Sequence, residues 1–327
     1  MSLSEVPKKR PDETRIALVG DVHFSESPPA SRKDDYADTI LAKLEDVKRT
    51  TEEHGVDAVV FSGDIFHRRT IGSLEKFTEL VSFFRWWRPA TKVVLNGNHD
   101  LSLRTLALSG QPLDLLFSAG VAERLDYGEP FLVNTGNGSA VMLIGKPYIR
   151  EPGVEYFSLT DEEKVGTAPY RLMVTHATLL PPAMGIPSSY LNYDKINPDV
   201  HVVFNGHIHE GFAPWHNEKT WFINPGSIAR VSRSDRRDSL KYCIASFSGE
   251  GAKFYDVPVA CEPADVVFSD KVLRPDAPGV SQQIDVDRIV SQIQEVNVEA
   301  PWETMEIPDD VRETVEYYLS AARSDTV

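Results

Sequence analysis

The chain has 327 residues, of which 41% are hydrophobic and 25% charged, so it can bury a core without help from disulfides. A formal net charge of -15 is the wrong sign for a protein that holds nucleic acid by a broadly basic surface. Cys243 and Cys261 are the only cysteines, which excludes a disulfide scaffold and a cysteine-based metal cluster. With no apolar run near the roughly 18 residues of a membrane span and a charged, proline-containing start, we expect a cytoplasmic protein.

The first hundred residues alternate short apolar strands with helical segments. Strands are predicted at residues 16–19, 58–61 and 92–95 from their apolar, β-branched runs. Between them lie a helix over about 34–53 and a second helical pattern over about 74–84. This β-α-β-α-β order predicts a sheet that starts largely parallel, and therefore an α/β fold.

After Gly120 the pattern changes to short strands separated by turn residues, which indicates mixed or antiparallel pairing in a second sheet. These strands are predicted at 131–133, 140–145, 172–175, 201–204, 220–223, 242–247 and 253–257. Beyond Val259 a proline-containing linker and two amphipathic helices are predicted. We therefore expect a flexible segment at 1–13, one domain at 14–260, and a linker with a helical tail at 261–327.

Polar side chains of the metal-ligand type follow directly after five of the predicted strands. They are Asp21 and His23, then Asp64, then Asn98 with His99 and Asp100, then His176, and finally His207 with His209. In open α/β sheets ligands bind outside the carboxyl ends of the strands, so these side chains are expected to converge. Glycines that let the backbone turn sharply and approach a ligand stand before four of these groups, at Gly20, Gly63, Gly97 and Gly206.

The convergent donors are two Asp, one Asn and four His, a set of oxygen and nitrogen atoms that suits Mn²⁺, Fe²⁺ or Zn²⁺. Seven donors are too many for one tetrahedral ion. They suit two metals about 3.5 to 4 Å apart that share a carboxylate, a geometry that clamps the attacking and leaving oxygens of a phosphoester. His54, His201 and His216 are isolated in the sequence, and we interpret them as ordinary surface or core residues.

The ordered series of these motifs resembles the calcineurin-like metallophosphoesterases, over about residues 15–260. The resemblance implies a four-layer α/β/β/α sandwich with two mixed β-sheets, and two divalent ions for which manganese is the first choice and iron or zinc the alternatives. One ion is implied to be held by Asp21, His23, Asp64 and His209. The other is implied to be held by Asp64, Asn98, His176 and His207, so that Asp64 bridges the pair.

Two such cations lower the pKa of a shared water, so that hydroxide is available near neutral pH as the nucleophile, and they neutralise charge on the phosphate. His99, next to Asn98, is placed to act as a general acid on the leaving oxygen or to stabilise the transition state. Asp100 is then expected to fix the tautomer and orientation of His99. The alternative for Asp100 is a helix cap.

Two further segments, residues 63–67 and 224–230, resemble the SbcD-type DNA-repair exonuclease subgroup. That resemblance implies that His67 lies beside the nucleotide and that Arg230 or Arg233 contacts the DNA strand. It also implies a coiled-coil ATPase as a candidate partner, and a homodimer is a candidate assembly. The alternatives are that His67 merely begins a helix, that the arginines are solvated surface charge, and that residues 225–227 form a plain turn.

The sequence departs from the subgroup after residue 260, because the remaining 67 positions are too few for both a DNA-binding cap and partner-binding helices. The tail is also acidic, which repels DNA. Three functions are compatible with these motifs. A Mn²⁺-dependent DNA exonuclease or endonuclease is preferred, and a phosphodiesterase or phosphatase acting on a small nucleotide is the alternative. A binding module without turnover is disfavoured, because every expected ligand position is filled.

Overall fold

The computed structural model describes residues 6–29, 31–88, 90–102, 105–182, 190–232, 235 and 237–269. The strands in this part are β1 (Thr14–Val19), β2 (Ala58–Phe61), β3 (Thr91–Val94), β4 (Glu123–Arg124), β5 (Phe131–Val133), β6 (Val141–Lys146), β7 (Tyr170–His176), β8 (Leu179–Leu180), β9 (Leu191–Asn192), β10 (Val202–Gly206), β11 (Trp215–His216), β12 (Trp221–Ile223), β13 (Leu240–Ser248) and β14 (Gly251–Val259). The helices are α1 (Tyr36–Glu53), α2 (Leu74–Trp86), α3 (Pro112–Ser118), α4 (Asp161–Lys164) and α5 (Ala264–Val267), with 3₁₀ turns at Val154–Phe157 and Tyr193–Lys195.

Two six-stranded sheets form the centre of the molecule. The first has the order β14-β13-β1-β2-β3-β4, in which β1 to β4 run parallel and β13 is antiparallel to both of its neighbours. The second has the order β11-β12-β10-β7-β6-β5, parallel in its middle and antiparallel at both edges. Both sheets are mixed, as the resemblance implied, but β13 and β14, which were expected in the second sheet, belong to the first, where β13 pairs with β1.

Side chains that alternate along each strand divide the interior into three apolar layers. Ile16 and Leu18 of β1 face the second sheet, where they pack in one cluster with Val174. Ala17 and Val19 point the other way, into a cluster shared with the helices. Because neighbouring residues of a strand point to opposite faces, one strand serves both layers. A third cluster covers the far side of the second sheet, so the four-layer sandwich is confirmed.

Helix α1 shows how local sequence places an outer layer. The side chain of Asp35 caps its first turn by accepting a hydrogen bond from the Asp38 amide. Ile40 and Leu44 lie one turn apart and are fully buried, so the helix packs one apolar face against the first sheet. The helix ends at Glu53, and Gly55 follows with a left-handed φ of 60°.

The described part of the segment predicted to be flexible, residues 6–13, contacts the core. Arg15 donates to the Pro7 carbonyl oxygen at 2.8 Å, and Lys9 pairs with Asp57 at 2.5 Å. In the expected tail, α5 packs with Phe268, and Ser269 donates its amide to Ser31. The predicted tail helices beyond residue 269 lie outside the described residues. Within the described ranges, no helix is both long and apolar enough to span a membrane.

Candidate metal centre

The predicted ligands stand on loops at the carboxyl ends of strands from both sheets. Asp21, Asp64 and Asn98 follow β1, β2 and β3 of the first sheet, whereas His176 ends β7 and His207 follows β10 of the second. Three of the predicted ligands have left-handed backbones, at φ values of 49° for His23, 49° for Asp64 and 74° for His207. Such conformations cost about 1 to 3 kcal/mol each in non-glycine residues and concentrate at functional sites.

The first group of predicted ligands is assembled around His23. Its Nε2 lies 2.8 Å from Nε2 of His209 and 3.7 Å from Oδ2 of Asp64. Nε2 of His209 in turn lies 3.6 Å from Oδ2 of Asp21. We call these four residues half-site 1. Half-site 1 is shielded from solvent, because three of its residues are almost completely buried: Asp21, His23 and Asp64.

The second group is assembled around the side-chain oxygen of Asn98. This oxygen lies 2.9 Å from Nδ1 of His207 and 3.1 Å from Nε2 of His176. The same nitrogen of His176 is 3.4 Å from Oδ2 of Asp64. We call these four residues half-site 2. Nδ1 of His176 lies 2.8 Å from the carbonyl oxygen of Ser62, an acceptor that fixes the ring so that Nε2 points inward.

Asp64 lies between the two half-sites. Its Oδ2 is 3.7 Å from a nitrogen of half-site 1 and 3.4 Å from one of half-site 2. Burial acts to raise the pKa of this carboxyl, but neighbouring His176 and His99 hold it well below its usual range. Asp64 is therefore an anion that lies between the two half-sites, which is the arrangement that a bridging metal ligand requires.

The donor chemistry fits two divalent ions. His23 and His209 present ring nitrogens to each other at 2.8 Å, where at most one proton can be shared. Burial, followed by the neighbouring His176, lowers the pKa of His207 to about 3, which keeps this imidazole in the neutral form that binds metal. Nitrogen and carboxylate oxygen donors suit manganese, iron or zinc. Half-site 1 and half-site 2 would each hold one ion.

Glycine permits the close approach of the two ligand loops. A Cβ atom on Gly97 would lie 2.1 Å from Oδ1 of Asp64, a distance that real side chains do not adopt. Gly63 has a φ of 113°, and its Cβ atom would lie 2.7 Å from the Gly97 amide nitrogen. These glycines were expected to let the backbone approach a ligand. In the structure they let two ligand loops approach each other.

His99 borders the two half-sites, through Asp64 and His23. Its amide donates to Oδ1 of Asp64 at 2.8 Å, and its ring centroid is 5.0 Å from that of His23. Nδ1 of His99 lies 2.9 Å from the carbonyl oxygen of His67. Because a carbonyl only accepts, Nδ1 carries the proton and Nε2 is the nitrogen available to a reacting group. His67 stacks on His99 at 5.5 Å with an interplanar angle of 16°.

Asp100 has a different role from the one expected. Its buried carboxylate does not contact His99 but accepts the amides of Gly97 at 3.0 Å, Ile65 at 3.3 Å and Phe66 at 3.1 Å. It therefore ties the loop after β2 to the loop after β3. The tautomer of His99 is set instead by the carbonyl of His67. Burial, with the nearby Asp64 charge, raises the pKa of Asp100 to about 7.

Of the two arginines predicted to contact DNA, the structure describes only Arg230. Arg230 is 1% exposed, and its guanidinium donates to the carbonyl oxygens of Arg237 and Glu262. A side chain buried in this way is not available to a DNA strand, which corrects the expectation for Arg230. Arg233 lies outside the described residues. Of the neighbouring segment, Ser227 is also buried, and its hydroxyl donates to the carbonyl oxygen of Asp21 at 2.8 Å.

Two side chains near the half-sites lie outside the predicted ligand set. Arg69 donates to the carbonyl oxygens of Leu101 at 2.7 Å and Asn98 at 3.0 Å, and so holds the loop that carries His99. Tyr148 places its ring centroid 5.8 Å from that of His207. Tyr148 closely follows the predicted strand at 140–145, and that position was the available signal. Arginine and tyrosine are not usual metal ligands, so a ligand pattern predicts neither residue.

Comparison with known proteins agrees with this geometry. The model of the family described as calcineurin-like phosphoesterase matches residues 14–211. The DNA double-strand break repair protein Mre11 of Halobacterium salinarum is 28% identical over 274 residues, which cover 80% of this chain and 64% of that protein. The chain thus spans less than two thirds of the length of this relative.

Two solved structures are also similar. The NAD nucleotidase NadN of Haemophilus influenzae has 13% identity and a TM-score of 0.46, covering 75% of this chain and 50% of that one. The sulfate thiohydrolase SoxB of Thermus thermophilus has 12% identity and a TM-score of 0.43, covering 80% and 59%. The family match extends over more than half of the chain and contains all seven predicted donors. The chain belongs to the calcineurin-like phosphoesterase family.

Proposed function

We propose that the chain hydrolyses phosphodiester bonds of DNA with two divalent ions, manganese being the first choice and iron or zinc the alternatives. The observation that carries the proposal is the position of Asp64, whose carboxylate lies between half-site 1 and half-site 2 and accepts the amide of His99. The likeness to a DNA double-strand break repair protein over 80% of the chain supports DNA as the substrate.

Bound ions would supply the Lewis acidity that activates water and neutralises phosphate charge. The chain itself holds the proton of His99 at Nδ1 against the His67 carbonyl, so that Nε2 can donate to the leaving oxygen when the ring is protonated. His67 is kept neutral because burial, together with the neighbouring His99, lowers its pKa to about 3. A neutral imidazole can orient a phosphodiester by one N–H without changing the charge of the site.

The proposal is tested with the full chain, Mn²⁺, and two diesters: bis-p-nitrophenyl phosphate and linear single-stranded DNA. We expect hydrolysis of both. His99→Ala should lower turnover by about 100-fold or more, the range of general acid catalysis, while bound manganese stays constant by elemental analysis. The control is His216→Ala, which removes an exposed histidine on β11. Full activity of His99→Ala on both diesters would refute the role of His99.

A small nucleotide is the second candidate substrate, because a net charge of -15 opposes the approach of a long polyanion. Release of phosphate from mononucleotides without shortening of DNA would select this alternative. A coiled-coil ATPase partner, a homodimer and a cytoplasmic location stay predictions from the resemblance and from composition. Analytical ultracentrifugation of the purified chain tests the homodimer.

A further inference from the structure

Tyr148 is anchored at the edge where the two sheets meet. It follows β6 by two residues, and β6 is the parallel neighbour of β7, whose last residue is His176 of half-site 2. The amide of Tyr148 donates to the carbonyl oxygen of Asn96 at 3.3 Å, across to the loop that carries Asn98. Tyr148 is thus attached to the second sheet by the chain itself and to the loop after β3 of the first sheet by this backbone hydrogen bond.

The ring of Tyr148 borders half-site 2. Its centroid lies 5.8 Å from that of His207 at 40° and 6.1 Å from that of His176 at 75°. These separations are within the range of direct aromatic contact. The residue is only partly buried, so a portion of the ring is turned to solvent beside the two predicted ligands. An apolar surface of this kind at a polar centre is suited to the non-phosphate part of a substrate.

A cationic side chain is held against the loop that Tyr148 contacts. Arg69, on the loop after β2, donates to the carbonyl oxygens of Asn98 and Leu101 on the loop after β3. The amide of Tyr148 donates to Asn96 of that same loop. An aromatic ring with an arginine near it is a combination by which proteins hold single-stranded nucleic acid, since bases stack on the ring and cations follow the backbone.

We propose that Tyr148 is a nucleobase platform, on which the base adjoining the scissile phosphate stacks while the phosphate lies at half-site 1 and half-site 2. The inference rests on the proposed function and narrows its substrate class to phosphodiesters that carry a base. Stacking on a ring tolerates any base, so the platform confers a requirement for a base and no sequence preference.

The test uses the full chain with Mn²⁺ and two single-stranded oligonucleotides of equal length, one normal and one with abasic residues throughout. The wild type should have a lower KM for the normal oligonucleotide. Tyr148→Ala should raise that KM by about tenfold, leave the KM for the abasic one unchanged, and retain its manganese. Tyr148→Phe keeps the ring and should match the wild type. Tyr255→Ala, at a partly buried tyrosine of β14, is the control.

Four results overturn the platform. If Tyr148→Ala loses bound manganese, the ring acts as a support for His176 and His207 instead. If the variant still distinguishes normal from abasic oligonucleotide as the wild type does, the base stacks elsewhere. If the wild type cleaves both oligonucleotides equally well, no base is recognised, and DNA hydrolysis still stands. If the wild type cleaves neither, the proposed function fails and the platform fails with it.

Discussion

Single residues of this centre tolerate little change, and Gly97 is the sharpest case. A Cβ atom there would lie 2.1 Å from Oδ1 and 2.5 Å from the amide nitrogen of Asp64. Since Asp64 borders both half-sites, any shift that relieves the contact moves a shared ligand. Ordinary core substitutions change only the stability of the fold. A side chain at Gly97 would also displace Asp64, the predicted bridging ligand.

Gly97→Ala is therefore predicted to weaken manganese binding by roughly 10- to 100-fold, the range seen when metal ligands lose their support. A manganese titration followed by calorimetry measures the effect. Gly249→Ala is the matched control, because a Cβ atom at Gly249 meets nothing within 4 Å. Equal manganese affinity of both variants would mean that the loop after β3 can move without disturbing Asp64.

Lys43 is a buried lysine that makes the stability of the fold depend on pH. Its ammonium donates to the carbonyl oxygen of Ile228 at 2.8 Å. Burial, together with the charges of Arg32 and Arg230, lowers its pKa from 10.5 to about 7. Between about pH 7 and pH 10.5, Lys43 is protonated in the unfolded chain and neutral in the folded chain. The free energy of unfolding should therefore rise with pH in this window.

Lys43→Met removes the titrating group and keeps most of the stem. The stability of the wild type relative to this variant is predicted to rise by about 1 kcal/mol per pH unit between pH 7 and 10. Urea unfolding of both proteins at pH 7, 8 and 9 provides the measurement. A difference that stays constant with pH would show that Lys43 keeps an ordinary pKa in the fold.

At the scale of elements, the sequence predicted the parts that carry their own periodicity. Helix α1 and the central strands of both sheets fall within a few residues of their predicted bounds. Among the missed elements, β8 and β9 have two residues each and pair with each other. Such elements form because tertiary contacts bring the chain together, so no local pattern records them.

The centre was predictable to the extent that strand ends place its side chains. Asp64 and His176 are directed inward by the strands that precede them, and so their convergence followed from strand order. The partners of Asp100 did not follow, because they depend on which loop crosses its carboxylate. Arg230 was misplaced for a similar reason: a basic run gives no sign that one member is buried under a neighbouring segment.

The tie between the two ligand loops gives a prediction at this scale. Asp100→Asn places an amide where a carboxylate accepts three backbone amides, and one of its atoms becomes a donor facing donors. Manganese affinity is predicted to fall by roughly 10- to 100-fold, whereas the tautomer of His99, seen by NMR, should not change. Asp194→Asn, at an exposed position, is the control. A changed His99 tautomer would restore the role first expected for Asp100.

The whole molecule assembles the centre only when both sheets meet. Asp21, Asp64 and Asn98 come from the first sheet, whereas His176 and His207 come from the second. Ions that bind both contributions therefore stabilise the folded chain over the unfolded one. The acidic net charge of the molecule repels a nucleic acid. Any attraction to a nucleic acid must therefore be local, at the ions and at the few cations near half-site 2.

The most direct measurement is an anomalous X-ray difference map at the manganese edge, from crystals of the full chain grown with Mn²⁺. The account predicts two peaks per chain, one in half-site 1 and one in half-site 2, with the Asp64 carboxylate between them. A single peak, or peaks that leave Asp64 without contact to either ion, would contradict it.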